Sequence, residues 1–187
     1  MPELPEVETT VLGLKKKVLK RTFIDVWTDF EKLVKEPSFK DFKKEIKGKK
    51  IKDIYRKGKN IVFVLSEDYY LLVHQKLTGH LLYGKWKKED KWIPLEKGPL
   101  EDKYNSYIHL VFFLDKGMLA LSDLRKFAKI KLFKKEGLEE ELGEIGPDAL
   151  KISFEEFKDI VKDKKGKIKQ VLMNQELIAG IGNIYSD

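Results

Sequence analysis

Between residues 50 and 133 the chain strings together short apolar or alternating runs, at about 50–56, 60–66, 69–75, 80–86, 106–114, 117–123 and 128–133. Turn-forming groups join them, among them Ser66-Glu67-Asp68 and Asp115-Lys116-Gly117. So many short strands, following one long helix, predict an antiparallel sandwich or barrel-like domain. The helix precedes them. Val7, Val11, Leu14 and Val18 recur at helical spacing from about Glu6 to Lys20, with lysines on the opposite face. Thr22 to Trp27 predicts a first strand, and Pro37-Ser38 precedes a short helix through Phe42 and Ile46. Residues 87–105, rich in Lys, Glu, Asp and Pro, read as a solvated excursion between strands.

The pattern then changes. Lys134 to Glu144 is charged and Gly146-Pro147 punctuates its end, predicting a first domain over 1–134, a linker over 135–147 and a helical unit over 148–187. Ser153-Phe154-Glu155-Glu156 has capping-box spacing ahead of Phe157, Ile160 and Val161. A second helix is expected from Ile168 to Asn174, then a turn through Ala179-Gly180-Ile181-Gly182, with Asn183 starting a third helix. The sequence stops at Asp187, barely one turn in, which reads as a truncated product. The fold class expected is α+β.

Composition narrows the partners. With 38 Lys and Arg against 31 Asp and Glu, the net charge of +7 suits a polyanion, although a lysine-rich soluble surface has the same balance. The chain has no cysteine, so it holds neither a disulfide nor a thiolate zinc site. No apolar run is long enough to span a bilayer, and no secretory signal precedes the charged start; a cytoplasmic protein is the default.

Five stretches carry candidate chemistry. In Met1-Pro2-Glu3-Leu4-Pro5-Glu6, loss of Met1 leaves Pro2 with a secondary amine beside Glu3 and Glu6. Such an amine attacks a sugar aldehyde carbon to give an iminium, and the carboxylates can move protons. The same residues also suit a plain helix start, with Pro5 in the first turn and Glu6 at its positive end. Arg56-Lys57-Gly58-Lys59 predicts a hairpin projecting cations toward phosphates, or a solvated basic turn. His74-Gln75-Lys76-Leu77-Thr78-Gly79 allows a tight reversal with Leu77 at its tip, an apolar wedge for a base stack, or else a core leucine. In Asp123-Leu124-Arg125-Lys126-Phe127 the Arg125 and Phe127 side chains suit the gap left by an extruded base. The alternative is a core Phe127 and a surface Asp123–Arg125 ion pair. Gly180-Ile181-Gly182-Asn183 permits close approach of backbone N–H groups to an anion.

In their order along the chain, PELPEVE, the KGK hairpin, HQKLTG, DLRKF, GPDAL and NQELIAGIGNIY resemble the formamidopyrimidine-DNA glycosylase family from Met1 to Asp187. The resemblance implies a helix on an antiparallel β-sandwich followed by part of an all-α helix–two-turn–helix domain. It implies a bifunctional base-excision glycosylase and abasic-site lyase that removes oxidised purines from duplex DNA, acting as a monomer in the bacterial cytoplasm and nucleoid. Pro2 would be the nucleophile, Glu3 the acid/base group, Glu6 the carboxylate positioning the amino terminus, and Lys59 the hairpin lysine supporting catalysis. His74 and Asn183 would contact phosphates, and Leu77, Arg125 and Phe127 would fill the void, Leu77 standing where the family commonly has methionine. The family's four-cysteine zinc finger is absent from these residues, so no cofactor is expected within them, and apolar surface around Ile178 and Ile184 should be left bare. Two other readings stand beside it: an endonuclease VIII-like glycosylase for oxidised pyrimidines, and a DNA-binding fragment without catalysis. A basic structural domain explains the charge but not the ordered motifs.

Overall fold

The computed structural model describes residues 2–187. Helix α1 (Leu4–Val18) opens the fold. Strands β1 (Phe23–Thr28) and β2 (Val34–Glu36) and helix α2 (Phe39–Ile46) follow. Then come β3 (Ile51–Lys57), β4 (Asn60–Leu65), β5 (Tyr69–His74) and β6 (His80–Gly84). After β7 (Trp86–Lys88) and β8 (Trp92–Pro94) the chain returns through β9 (Ile108–Leu114), β10 (Met118–Ser122) and β11 (Lys129–Lys134). Helices α3 (Lys135–Gly143), α4 (Phe154–Val161) and α5 (Ile168–Met173) complete it. The expected α+β order is the one observed.

Two sheets form the sandwich. One runs β1-β9-β10-β6 and the other β2-β11-β5-β4-β3. All pairings are antiparallel except β11 with β2. Phe23, Leu110, Phe112 and Leu121 from the first sheet meet Ile54, Phe63, Leu71 and Ile130 from the second in one core. The two early helices close its sides. Helix α1 packs against β3 and β6, the edge strands on one side of the two sheets, and α2 packs against β1 and β2 on the other. Edges that would expose unpaired backbone are covered in this way. The periodicity of α1 explains its seat, since Val7, Val11, Leu14 and Val18 are all buried.

Three local expectations are corrected. The stretch 87–105 is not a free excursion: Trp86 and Trp92 are buried with Ile108, Val111 and Ala120 on the outer face of the first sheet. Its charged composition hid Trp92, which anchors it beside Trp86. The charged run expected as a linker is mostly helix α3, because Leu138 and Leu142 lie one turn apart and pack on Val62, Leu72 and Phe133. At the end of the chain, residues 183–186 form a turn rather than a third helix. The Ser153 cap is as read, its hydroxyl accepting from the Glu156 N–H while the Glu156 carboxylate accepts from the Ser153 N–H.

Candidate active site

One end of the five-stranded sheet gathers most of the candidates. Strand pairing sets Asn60 opposite His74, and His74 opposite Lys129, so the turn before Asn60, the end of β5 and the start of β11 share that end. Helix α1 brings its amino end to the same place. Glu3 is fully buried there, and its carboxylate accepts from the Ile184 N–H (2.8 Å) and the Tyr185 N–H (3.4 Å). The glycines explain the closeness. A Cβ on Gly182 would stand 2.4 Å from the Glu3 carboxyl carbon. Gly180 has φ +110° and would press a Cβ onto Leu4, whose N–H donates to the Gly180 carbonyl at 3.1 Å. The backbone N–H groups expected to meet an anion thus meet the chain's own carboxylate.

Glu6 completes this corner. One oxygen accepts from the Glu3 N–H (2.8 Å) and the other from the Tyr185 hydroxyl (2.9 Å). Burial pushes its pKa up, but these hydrogen bonds outweigh that and hold the carboxyl below its usual range. Nothing in the sequence pattern had singled out Tyr185. The helix-start reading of Pro5 and Glu6 is also correct, and compatible with chemistry at Pro2.

The cations crowd one another. Lys59 is buried; desolvation lowers its pKa, the Glu3 charge raises it and Lys76 lowers it further. His74 is depressed to about 4, chiefly by burial and then by Lys76, Lys59 and Lys129. Its Nδ1 accepts from the Lys76 N–H at 3.0 Å, so the neutral ring carries its proton on Nε2. Positive groups that suppress one another's charge form a site that an anion would relieve.

Arg56 departs from expectation. Its side chain is 5% exposed, and it does not project toward solvent. It pairs with Glu8 of α1 (2.7 Å) and Asp148 (2.6 Å), and donates to the Gly58 carbonyl (2.9 Å). It therefore ties helix, hairpin and the 148–187 segment together. Gly58 sits under Ile145 and Ala179, so the hairpin tip is covered as well.

Two loops carry the expected wedge residues. Leu77 is 37% exposed and Phe127 49%, which excludes both from the core. The Arg125 guanidinium lies 4.8 Å from the Phe127 ring centroid. Asp123 is not the surface partner of Arg125. It is fully buried and accepts from the Thr78 hydroxyl and from the Arg125 and Ala128 N–H groups, so it joins the two loops. Lys76 and Lys126, each just before a wedge residue, adopt left-handed backbone with φ near +57° and +56°. Tight reversals of this kind cost about 1 kcal/mol or more and need support from their surroundings. Asn183 is exposed, and its carbonyl accepts from the Lys169 ammonium at 3.2 Å. Of the two isoleucines expected to lie bare, Ile184 is exposed but Ile178 is buried.

This geometry has relatives. Residues 1–130 match the family model described as the formamidopyrimidine-DNA glycosylase N-terminal domain. The chain belongs to that family. It is 36% identical over 189 residues to the formamidopyrimidine-DNA glycosylase of Carboxydothermus hydrogenoformans and 38% over 194 residues to that of Brevibacillus brevis, aligning along its whole length with 64% of each. The solved Lactococcus lactis enzyme bound to DNA containing an abasic site superposes with a TM-score of 0.83 at 30% identity, over 99% of this chain and 64% of that one. A further Lactococcus lactis structure, with DNA containing a formamidopyrimidine lesion, gives the same score and covers 66% of that chain. The chain thus spans just under two thirds of the length of these relatives. Its residues do not fit a zinc finger: cysteine is absent, and no group of three or more His, Cys, Asp or Glu suited to a metal occurs among the described residues. No helix among them is long and apolar enough to cross a membrane.

Proposed function

We propose that this chain is the catalytic part of a DNA glycosylase and abasic-site lyase acting on oxidised purines in duplex DNA. One observation carries the reading: Pro2 adjoins a buried Glu3 whose charge acts on the buried Lys59, at the margin of a crowded cationic cluster. With Met1 removed, the Pro2 nitrogen attacks C1′ of an extruded nucleotide, and the bond to the base breaks as the base leaves with its electron pair and a proton. The nitrogen gives up its proton, and its lone pair then expels the ring oxygen O4′ from C1′, which takes a proton as the sugar ring opens. The resulting iminium withdraws electrons as β and then δ elimination release the two phosphates. Glu3 is suited to move the protons, held in place by the Ile184 and Tyr185 N–H groups. Glu6 holds the Glu3 amide and so steadies the amino terminus.

DNA contacts follow from charge and exposure. His74 presents an Nε2–H donor to a phosphate without adding charge, while Lys76 and Lys129 supply the field. Leu77 and the stacked Arg125–Phe127 pair enter the space vacated by the extruded base. Asn183, exposed on the turn whose next two N–H groups donate to Glu3, would contact a backbone phosphate. The arginine–aromatic pair and the PELPEVE start favour oxidised purines over the pyrimidines of the endonuclease VIII branch.

The test is reduction with borohydride on duplex DNA containing an abasic site. The chain lacking Met1 should form a covalent adduct that a Met1-retaining form cannot, and Glu3→Gln should reduce cleavage by on the order of a hundredfold. A folded chain lacking Met1 that binds this DNA without trapping would leave the binding-fragment reading in its place.

A further inference from the structure

The turn that follows Gly182 touches both amino-terminal carboxylates. Its Ile184 and Tyr185 N–H groups donate to Glu3, and the Tyr185 hydroxyl donates to Glu6 at 2.9 Å. The other Glu6 oxygen accepts from the Glu3 N–H at 2.8 Å, which belongs to the peptide joining Pro2 to Glu3. Hydroxyl, carboxylate and peptide N–H form one chain ending a single rotatable bond from the Pro2 amine. A peptide group is planar, so fixing its N–H fixes the plane about which Pro2 turns.

We infer that Tyr185 is a positioning residue for the nucleophile, acting through Glu6 on the Pro2–Glu3 peptide. This rests on the reading of Pro2 as the attacking amine. Hydrogen bonds to an ionised acceptor are the stronger kind, and the hydroxyl is pushed by Glu6 toward staying protonated, so it remains a donor through neutral pH. Among the described residues Glu6 is acted on by the Glu3 and Glu6 amides of its own segment and by Tyr185 from the turn, and the amino-terminal positive charge lowers its pKa further. Lys59, on the hairpin, acts on Glu3. The exposed Asn183 side chain sits two residues before Tyr185 on the same turn. A phosphate held by Asn183 would therefore seat the residue that orients the amine, and DNA engagement would be sensed at Glu6.

Tyr185→Phe keeps the ring and removes the hydroxyl. With the Met1-free chain and excess protein on abasic duplex, the rate of borohydride trapping should fall roughly tenfold, the size expected for losing one hydrogen bond to a charged group. Duplex affinity should stay the same. The acid side of the rate profile should move to higher pH, because Glu6 without its donor protonates more readily. Titration of the Glu6 carboxyl by carbon NMR should show the same upward move in DNA-free protein. A Phe variant that traps at the unmodified rate with an unmoved acid limb overturns the inference, as does one that loses affinity and not rate. Should the unmodified chain form no adduct, the lyase reading fails; an unmoved Glu6 titration would then overturn the Tyr185 link, and a raised one would support it.

Discussion

The β-sandwich and the 148–187 segment are held by different forces. Every residue of the main core lies between Val7 and Leu132, where two sheets and two helices bury aliphatic and aromatic side chains against one another. The second region buries little: Val171, Ile178 and Ala179, with Leu150, Phe154, Ile168, Ile184 and Tyr185 mostly exposed. Its attachment is largely polar and local. Arg56 reaches Asp148, the Ala179 N–H donates to the Pro147 carbonyl at 2.8 Å, and Gly180 and Gly182 bring the turn onto Leu4 and Glu3. Helices α4 and α5 have eight and six residues, short enough to need tertiary support. The Glu3–Glu6 corner is built across this seam, so the region that buries less completes a corner rooted in the larger core.

Two phenylalanines measure the contrast most directly. Phe112→Ala, in the core where Phe23 and Phe42 rings meet it, should cost about 3–5 kcal/mol of unfolding free energy in a denaturant titration. Phe154→Ser, at a site 73% exposed, should change stability by less than about 0.5 kcal/mol. Equal losses would mean that the helical segment has a core of its own weight.

Acid should act first on the sandwich end. His74 has its pKa lowered from 6.5 to about 4, so the unfolded chain binds the extra proton first and stability falls as pH drops between those values. The full loss is about 3 kcal/mol. His74→Gln should flatten the stability profile in that window while leaving the fall below it, where Asp25, Asp53 and Glu6, whose pKa values are lowered in the fold, take up protons themselves. A profile unchanged by the substitution would break the assignment.

Arg56→Met tests the seam. Its partners keep some solvent, Glu8 at 40% and Asp148 at 14% side-chain exposure, so the cost should be about 2 kcal/mol, below that of a fully buried pair. Hydrogen exchange should quicken in residues 148–187 and change little in β4 and β5. Uniform quickening would show that the two regions unfold together.

Much of this was legible without coordinates. Period-2 runs and turn residues gave the strands of the sandwich, and helical spacing of Val7, Val11, Leu14 and Val18 gave the buried face of α1, because those patterns follow from local backbone geometry. The order of motifs pointed to the family and to Pro2, Glu3, Lys59, Leu77, Arg125 and Phe127. The misses share a cause. Trp92 was masked by charged neighbours, and Arg56 and Asp123 were read by their charge, although burial turned Arg56 into a clamp and Asp123 into a loop fastener.

The sequence by itself determined most of the strands, the buried face of α1 and the order of motifs that marks the family, since propensity, spacing and side-chain type act over a few positions. Only the tertiary structure decided which charges are buried, which anion the glycine turn receives, and that Tyr185 reaches Glu6 from 179 positions away. Such contacts depend on how distant elements dock, and no local pattern encodes the partner that lies across the seam.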